Sequence, residues 1–423
     1  MSPVFRRRTL GELLARPEWR DSGVEAVAAE IVADVRARAE PALREHAERW
    51  DGLRRDDPLI VGRQEMERAL DAVAPDERAA LERIAVRIRA FAESQRRSLR
   101  EIEVPVAGGR AGHSIAPVAR AGCYAPGGRY PLPSSLLMTV LTARAAGVGE
   151  VWVATPRPDE FMLACAALAG ADGVIRAGGA QAIAALAFGA GVIPACDMIV
   201  GPGNAYVTAA KRLVFGHVGI DALAGPSELV VVADAEADAG AVAADLLAQA
   251  EHDPSSIPVL VSASEALIDA VSRSIDDQLA TLPTADIASA ALGNGGAVLV
   301  RRLDEAVAAC DALAPEHLHL HLRDAAVVAD RVKNYGALFI GARSAEVLGD
   351  YGAGPNHVLP TGGASRFSGG LSVLTFLRVR TWLEISDEAA AAPLFGDAAW
   401  LARREGLAAH ARSAERRLVA QTS

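Results

Sequence analysis

Between Val24 and Trp50, apolar residues recur at three- and four-residue intervals (Val24, Val27, Ile31, Val32, Val35) among Glu and Arg. That is the period of an amphipathic helix. Ala79 to Phe91 repeats the pattern, so the first hundred residues read as helical. The stretch Val104 to Ala121 is Gly-rich and polar and reads as a connection or a short hairpin. From residue 122 the texture changes to short β-rich runs: Val151–Ala154, Val174–Arg176, Met198–Val200, Leu229–Ala233, Val259–Ser262, Val298–Val300 and Ala337–Ile340. Ala-rich helical stretches lie between them, among them Phe161–Ala169, Ala180–Phe188, Asn204–Phe215 and Ala239–Glu251. Buried strands alternating with helices of this length are the sequence form of right-handed βαβ units, and so of an α/β fold with parallel sheets. From Trp382 onward the pattern returns to helix and ends in a charged tail.

Composition narrows the function classes. The chain has 423 residues, 51% hydrophobic and 23% charged, enough to bury a sizeable core. A net charge of −10 speaks against nucleic acid or an acidic membrane as partner, since either needs a basic face. The one basic run, Arg6-Arg7-Arg8, is followed by Glu12 and Arg16, which leave no apolar core for a secretory signal. No window of 18 uncharged apolar residues suggests a membrane span. Cys123, Cys165, Cys196 and Cys310 lie far apart without a C-x-x-C pair, as expected of free thiols in a cytoplasmic protein.

Several segments carry candidate chemistry. No G-x-G-x-x-G follows a strand candidate, so the usual dinucleotide fingerprint is absent. Gly178-Gly179-Ala180-Gln181 and Gly201-Pro202-Gly203-Asn204 each end a strand and open a helix. Free N–H groups and the helix dipole favour phosphate at such turns, although each also serves as a plain tight turn. Gln249 and His252 are three apart and share one helix face, either as metal ligands or as a solvated helix end. Ala314-Pro315-Glu316-His317-Leu318 sets a carboxylate beside an imidazole at a loop-to-strand junction. An imidazole poised near neutral pH suits proton removal from an alcohol, and a carboxylate suits activation of water. His319 and His321 alternate with leucines on a half-exposed strand and read as surface residues. Gly349 to His357 is a glycine-dense loop holding Asp350 and His357, and Glu405 to His410 lies near the C-terminus. Gln249, His252, Asp350 and His410 together form a mixed N/O set without thiolate, which fits a catalytic metal site better than a closed structural one.

In this order the motifs resemble the histidinol dehydrogenase family along nearly the whole chain. The matching stretches are Gly122-Cys-Tyr-Ala-Pro-Gly-Gly128, Gly178-Gly-Ala-Gln-Ala-Ile-Ala184, Gly201-Pro-Gly-Asn204 and Asp221 through Glu228. They continue through Asp245–His252, Ala314–Leu318, Gly349-Asp-Tyr351, Asn356–Thr361 and Glu405-Gly-Leu407 with His410. The resemblance implies an α/β fold of two incomplete Rossmann-like domains with small helical N- and C-terminal segments. An N-terminal segment takes residues 1–20, the first Rossmann-like domain 21–121 with 230–371, the NAD-side domain 122–229, and a C-terminal tail reaching the partner subunit 372–423. It further implies one Zn2+ per subunit on Gln249, His252, Asp350 and His410. Ser227, His317, His357 and Glu405 would complete the substrate pocket around those ligands, and Tyr124, Gln181 and Asn204 would hold NAD.

The activity implied is oxidation of L-histidinol through the aldehyde to L-histidine with two NAD, in a homodimer whose active sites are shared. His317 serves there as proton acceptor, and Glu316 activates water. The stretches 112–117 and 129–135 depart from the family's usual wording, on the presumed nucleotide side. Two alternatives stand beside this reading. One is a paralogue oxidising another small alcohol, such as a sulfopropanediol, to an acid; Glu405, suited to a substrate ammonium, favours histidinol over it. The other is a catalytically silent metal-binding scaffold, against which stands the full set of zinc and acid–base positions.

Overall fold

The computed structural model describes residues 4–15, 21–127 and 131–419. Arg129 and Tyr130 of the atypical 129–135 stretch, and parts of segments 1–20 and 372–423, lie outside the described residues. The chain divides into two compact units, Met1–Ser94 with Ala119–Phe376, and Gln95–Val118 with Leu377–Ser423.

The larger unit holds two sheets. The first has six strands in the order Ile60–Gly62, Gly173–Ile175, Glu150–Ala154, Arg120–Tyr124, Met198–Val200 and Gly219–Ile220. All pair in parallel except the edge strand Ile60–Gly62. The chain starts the parallel part in the centre, works outward to one side, then returns to fill the other. This is half of a doubly wound dinucleotide fold, with its switch point between Arg120–Tyr124 and Met198–Val200. The second sheet repeats the plan with five parallel strands: Gly296–Leu299, Ile257–Ser262, Glu228–Ala233, His317–His321 and Ala337–Ile340. Its switch point falls between Glu228–Ala233 and His317–His321. The three central strands are buried at nearly every position, as parallel strands covered by helices on both faces must be.

Local signals explain most boundaries. The helices Glu160–Ala169 and Ala239–Ala250 begin at Asp159 and Asp238, whose carboxylates accept backbone N–H groups of the first turn. The pattern from Val24 to Trp50 forms two helices, Ser22–Arg38 and Glu40–Trp50. They break at Ala39, where φ is 53°, and Pro41 then sits in the first turn of the second helix. The 3.6-residue period survives such a break, so the pattern alone does not reveal it. These two helices pack on the helices Gly179–Phe188 and Ala205–Val214. Their apolar faces (Ile31, Val35, Leu43, Ala47) share a core with Ile183, Val207 and Ile199 of the six-stranded sheet's layer. Buried residues between 28 and 59 thus belong to the core of the six-stranded sheet's layer.

In the smaller unit, Ile102–Val106 and Gly109–Pro117 form the short hairpin expected there, and Leu377–Ile385 adds a third antiparallel strand. Helix was expected from Trp382, but Trp382 lies inside that strand, paired with Gly112. The period-two run Leu-Arg-Val-Arg-Thr-Trp-Leu-Glu-Ile takes the hairpin's free edge, and helix resumes at Ala392–Arg404 and Ala408–Val419.

Candidate active site

The Glu316–His317 pair lies at the amino edge of the five-stranded sheet, where the chain enters the strand His317–His321. Ala314, at φ 47°, turns the chain out of the preceding helix. The Glu228 N–H donates to Glu316 Oε2 at 2.9 Å, and His317 Nδ1 lies 3.2 Å from the Glu228 carbonyl. A carbonyl only accepts, so Nδ1 carries the proton and Nε2 is left with the free lone pair. Burial pushes the His317 imidazole down to about 4, with Asp350 opposing, and the ring is neutral at physiological pH. Burial also raises the Glu316 carboxyl well above its usual range, aided by Glu228, Asp350 and Glu346. Glu316 Oε2 and Glu346 Oε1 stand 3.7 and 3.8 Å from His317 Nδ1.

Asp350 gathers the remaining histidines. Its carboxylate lies 3.6 Å from His252 Nε2 and 3.7 Å from His357 Nδ1, and its carbonyl accepts from His357 Nδ1 at 3.1 Å. His357 Nε2 then accepts from the Ser135 hydroxyl at 3.2 Å. Ser135 opens the helix Pro133–Ala146, which follows the central strand of the six-stranded sheet, so this bond joins the carboxyl edge of one sheet to the amino edge of the other. Asn356 reinforces the junction by donating to the Met138 carbonyl at 2.9 Å and to Thr142 Oγ1 at 3.1 Å. Gln249 lies in the last turn of the helix Ala239–Ala250, and His252 lies beyond the capping residue Glu251 rather than on the helix. Gln249 is fully buried, and neither its amide oxygen nor its nitrogen has a hydrogen-bond partner among the described residues. A buried amide left unpaired, one turn before a partly exposed imidazole beside a carboxylate, fits the donor set of a metal ion. Ser227 is partly exposed just ahead of the strand Glu228–Ala233 at the same sheet edge.

Sequence reasoning missed Glu346. It is 1% exposed, neither carboxylate oxygen has a hydrogen-bond partner among the described residues, and burial near Asp350 and Asp245 raises it well above the carboxylate range. His317, Glu346 and Asp350 each offer a ligand atom, all within 4.8 Å of one another. The one sequence signal was its place a helical turn before Asp350. His319 and His321 require a correction: they are 0% and 2% exposed, not surface residues. Their strand is internal to a parallel sheet, and the helix bearing Asp245 covers the face they occupy.

Of the residues expected to hold NAD, Tyr124 ends the central strand of the six-stranded sheet, and its hydroxyl accepts from the Gly179 N–H at 3.1 Å. Gln181 donates to Asp51 Oδ2 at 3.0 Å, and the same oxygen accepts the Gly178 N–H at 2.9 Å. Asn204 caps the helix Ala205–Val214 through the N–H groups of Tyr206 and Val207. Asp221, ion-paired with buried Lys211, accepts the Gly201 N–H at 2.7 Å. Several N–H groups of both glycine turns are thus already engaged by the protein's own oxygens. The turns border the switch point, but their free anion-binding capacity is smaller than the sequence suggested. In the smaller unit, Glu405 caps the helix Ala392–Arg404 and His410 lies on Ala408–Val419; both are exposed.

A doubly wound parallel sheet beside a buried imidazole–carboxylate cluster defines an α/β protein with a site suited to proton transfer and compatible with a metal ion. Residues 14–418 match the family model for histidinol dehydrogenase. The chain is 45% identical to a histidinol dehydrogenase of Dechloromonas aromatica over 96% of its length and 95% of the relative's. It is equally similar to one from Aromatoleum aromaticum, at 45% over 97% and 95%. The crystal structure of histidinol dehydrogenase from Elizabethkingia anophelis superposes with a TM-score of 0.93 at 30% identity, covering 100% of both chains. The chain belongs to the histidinol dehydrogenase family, whose members are NAD-dependent oxidoreductases.

Proposed function

We propose that this chain oxidises L-histidinol through L-histidinal to L-histidine, using two NAD and one Zn2+ per subunit. The observation that carries the reading is His317: buried, neutral, its Nδ1 proton committed to a backbone carbonyl, and a carboxyl beside it. When bound, the metal supplies a Lewis-acidic anchor for the substrate and the dinucleotide supplies the hydride acceptor.

Gln249, His252 and Asp350 would hold zinc, with His410 from a second copy of the chain as fourth ligand. Tyr124, Gln181 and Asn204 would line the dinucleotide crevice, with residues 122–229 as the NAD side. His317 Nε2 takes the hydroxyl proton as the alcohol becomes an aldehyde. Glu316, whose burial strengthens it as a base, takes a proton from the water that adds to the aldehyde, and His317 acts again in the second oxidation. Ser227 and His357 orient the substrate, with His357 held by Ser135. Exposed Glu405, from the tail of the second copy in a homodimer, meets the substrate ammonium.

The test is NADH formation by the zinc-loaded protein with L-histidinol. Two NADH per histidinol, lost on chelation and restored by zinc, are expected. Intact zinc without turnover would refute histidinol as substrate and direct a screen toward other small alcohols.

A further inference from the structure

A second cluster lies deeper in the same sheet layer. His319 and His321 share one face of the strand His317–His321, and Asp245, on the helix Ala239–Ala250, covers them. We propose that Asp245, His319 and His321 form a second site for a divalent transition-metal ion, separate from Gln249, His252 and Asp350.

Tautomer logic carries the argument. His319 Nε2 lies 3.2 Å from the Gly341 carbonyl, which only accepts, so Nε2 bears the proton. The lone pair of His319 Nδ1 therefore stands against Asp245 Oδ2 at 3.2 Å, and Nδ1 has no hydrogen-bond partner among the described residues. Two electron-rich atoms at this distance, largely removed from water, repel unless a positive charge joins them. His321 Nε2 hydrogen-bonds the same oxygen at 2.8 Å, so it carries a proton there that it would give up on ligating an ion, and the two rings lie 4.1 Å apart, centre to centre. All three residues offer a ligand atom within 4.8 Å of the others, close to the spacing of donors around one small ion.

The surroundings suit an ion as well. An imidazole that gives its remote N–H to a backbone carbonyl has the outer-shell partner typical of metal-bound histidine. His319 and His321 are held rigidly by burial, while the Asp245 side chain keeps 12% of its surface exposed, leaving a solvent edge for entry and for water at an open position. Two imidazole nitrogens and one carboxylate oxygen, without thiolate, select zinc, cobalt or nickel over calcium or magnesium. A proton on His319 Nδ1 would supply the same positive charge, and this is the rival that the experiment separates.

Full-length protein is stripped with chelator and titrated with Co2+, following visible absorption, and bound metal is counted by mass spectrometry after desalting. Wild type is expected to hold two ions per chain, and His319→Gln and His252→Ala one each. A wild-type count of one ion that survives in His319→Gln and disappears in His252→Ala overturns the proposal and leaves the first site standing. The reverse pattern supports it and refutes the assignment of zinc to His252. Two ions retained by His319→Gln, or none in wild type, also overturn it. The wild-type count needs no variant, and Asp245→Asn repeats the test with a side chain of the same shape.

Discussion

Acidification gives the sharpest test of how the site is built. His317 is 3% exposed, and burial lowers its imidazole from 6.5 to about 4. That depression corresponds to about 3 kcal/mol in favour of the neutral ring. At pH 5.5 an ordinary histidine is only about one-tenth neutral, whereas His317 remains almost wholly so. Histidine-selective isotope labelling would show the chain's nine histidines separately, with His317→Gln identifying the resonance of interest. On metal-free protein, that resonance should stay in its neutral position down to about pH 5 and begin to move only as the pH approaches 4. The same shift sets a sign for stability. The unfolded chain binds a proton at this residue below 6.5 and the folded chain does not, so the contribution is fully present above pH 6.5 and is lost as the pH falls through 4. Wild type should therefore lose more stability than His317→Gln across that window, by an amount on the order of 3 kcal/mol at its acid end. A midpoint near 6.5, or parallel acid destabilisation of wild type and variant, would refute the argument.

Two further outcomes follow from neighbouring geometry. Gly201, at φ 115°, has no room for a side chain, since a Cβ there would meet the Tyr124 carbonyl at 2.1 Å. Gly201→Ala should lower stability by about 1–3 kcal/mol and weaken NAD binding, measured by thermal melting and cofactor titration. Glu316→Gln keeps the side chain's shape and removes its capacity as a base. It should largely spare NADH formation in the alcohol step and slow conversion of supplied aldehyde by roughly 100-fold; equal loss in both steps would contradict the roles given to Glu316 and His317.

The structure also shows where sequence patterns carry information and where they stop. The strand candidates Met198–Val200 and Leu229–Ala233 were legible because short apolar runs bounded by turn residues fit buried parallel strands. Both glycine turns were placed where a strand hands over to a helix, and helices begin there at Gly179 and Ala205. The Val24–Trp50 pattern hid the break at Ala39 because apolar spacing continued across it. His252 fell off its helix because a three-residue spacing records a face only while the helix lasts.

By itself the sequence determined the alternation of strands and helices, the motif order that places the chain among histidinol dehydrogenases, and the residue types for proton transfer and metal binding. Tertiary structure alone decided which of those residues meet. Glu228, the Glu316–His317 pair and the turn from Glu346 to Asp350 come from three separate segments, and only the tertiary fold brings them together. It also decided that His319 and His321 are buried. A period-two pattern says which side chains share a face of a strand, but whether that face meets water or a helix bearing Asp245 depends on how the chain returns across the sheet.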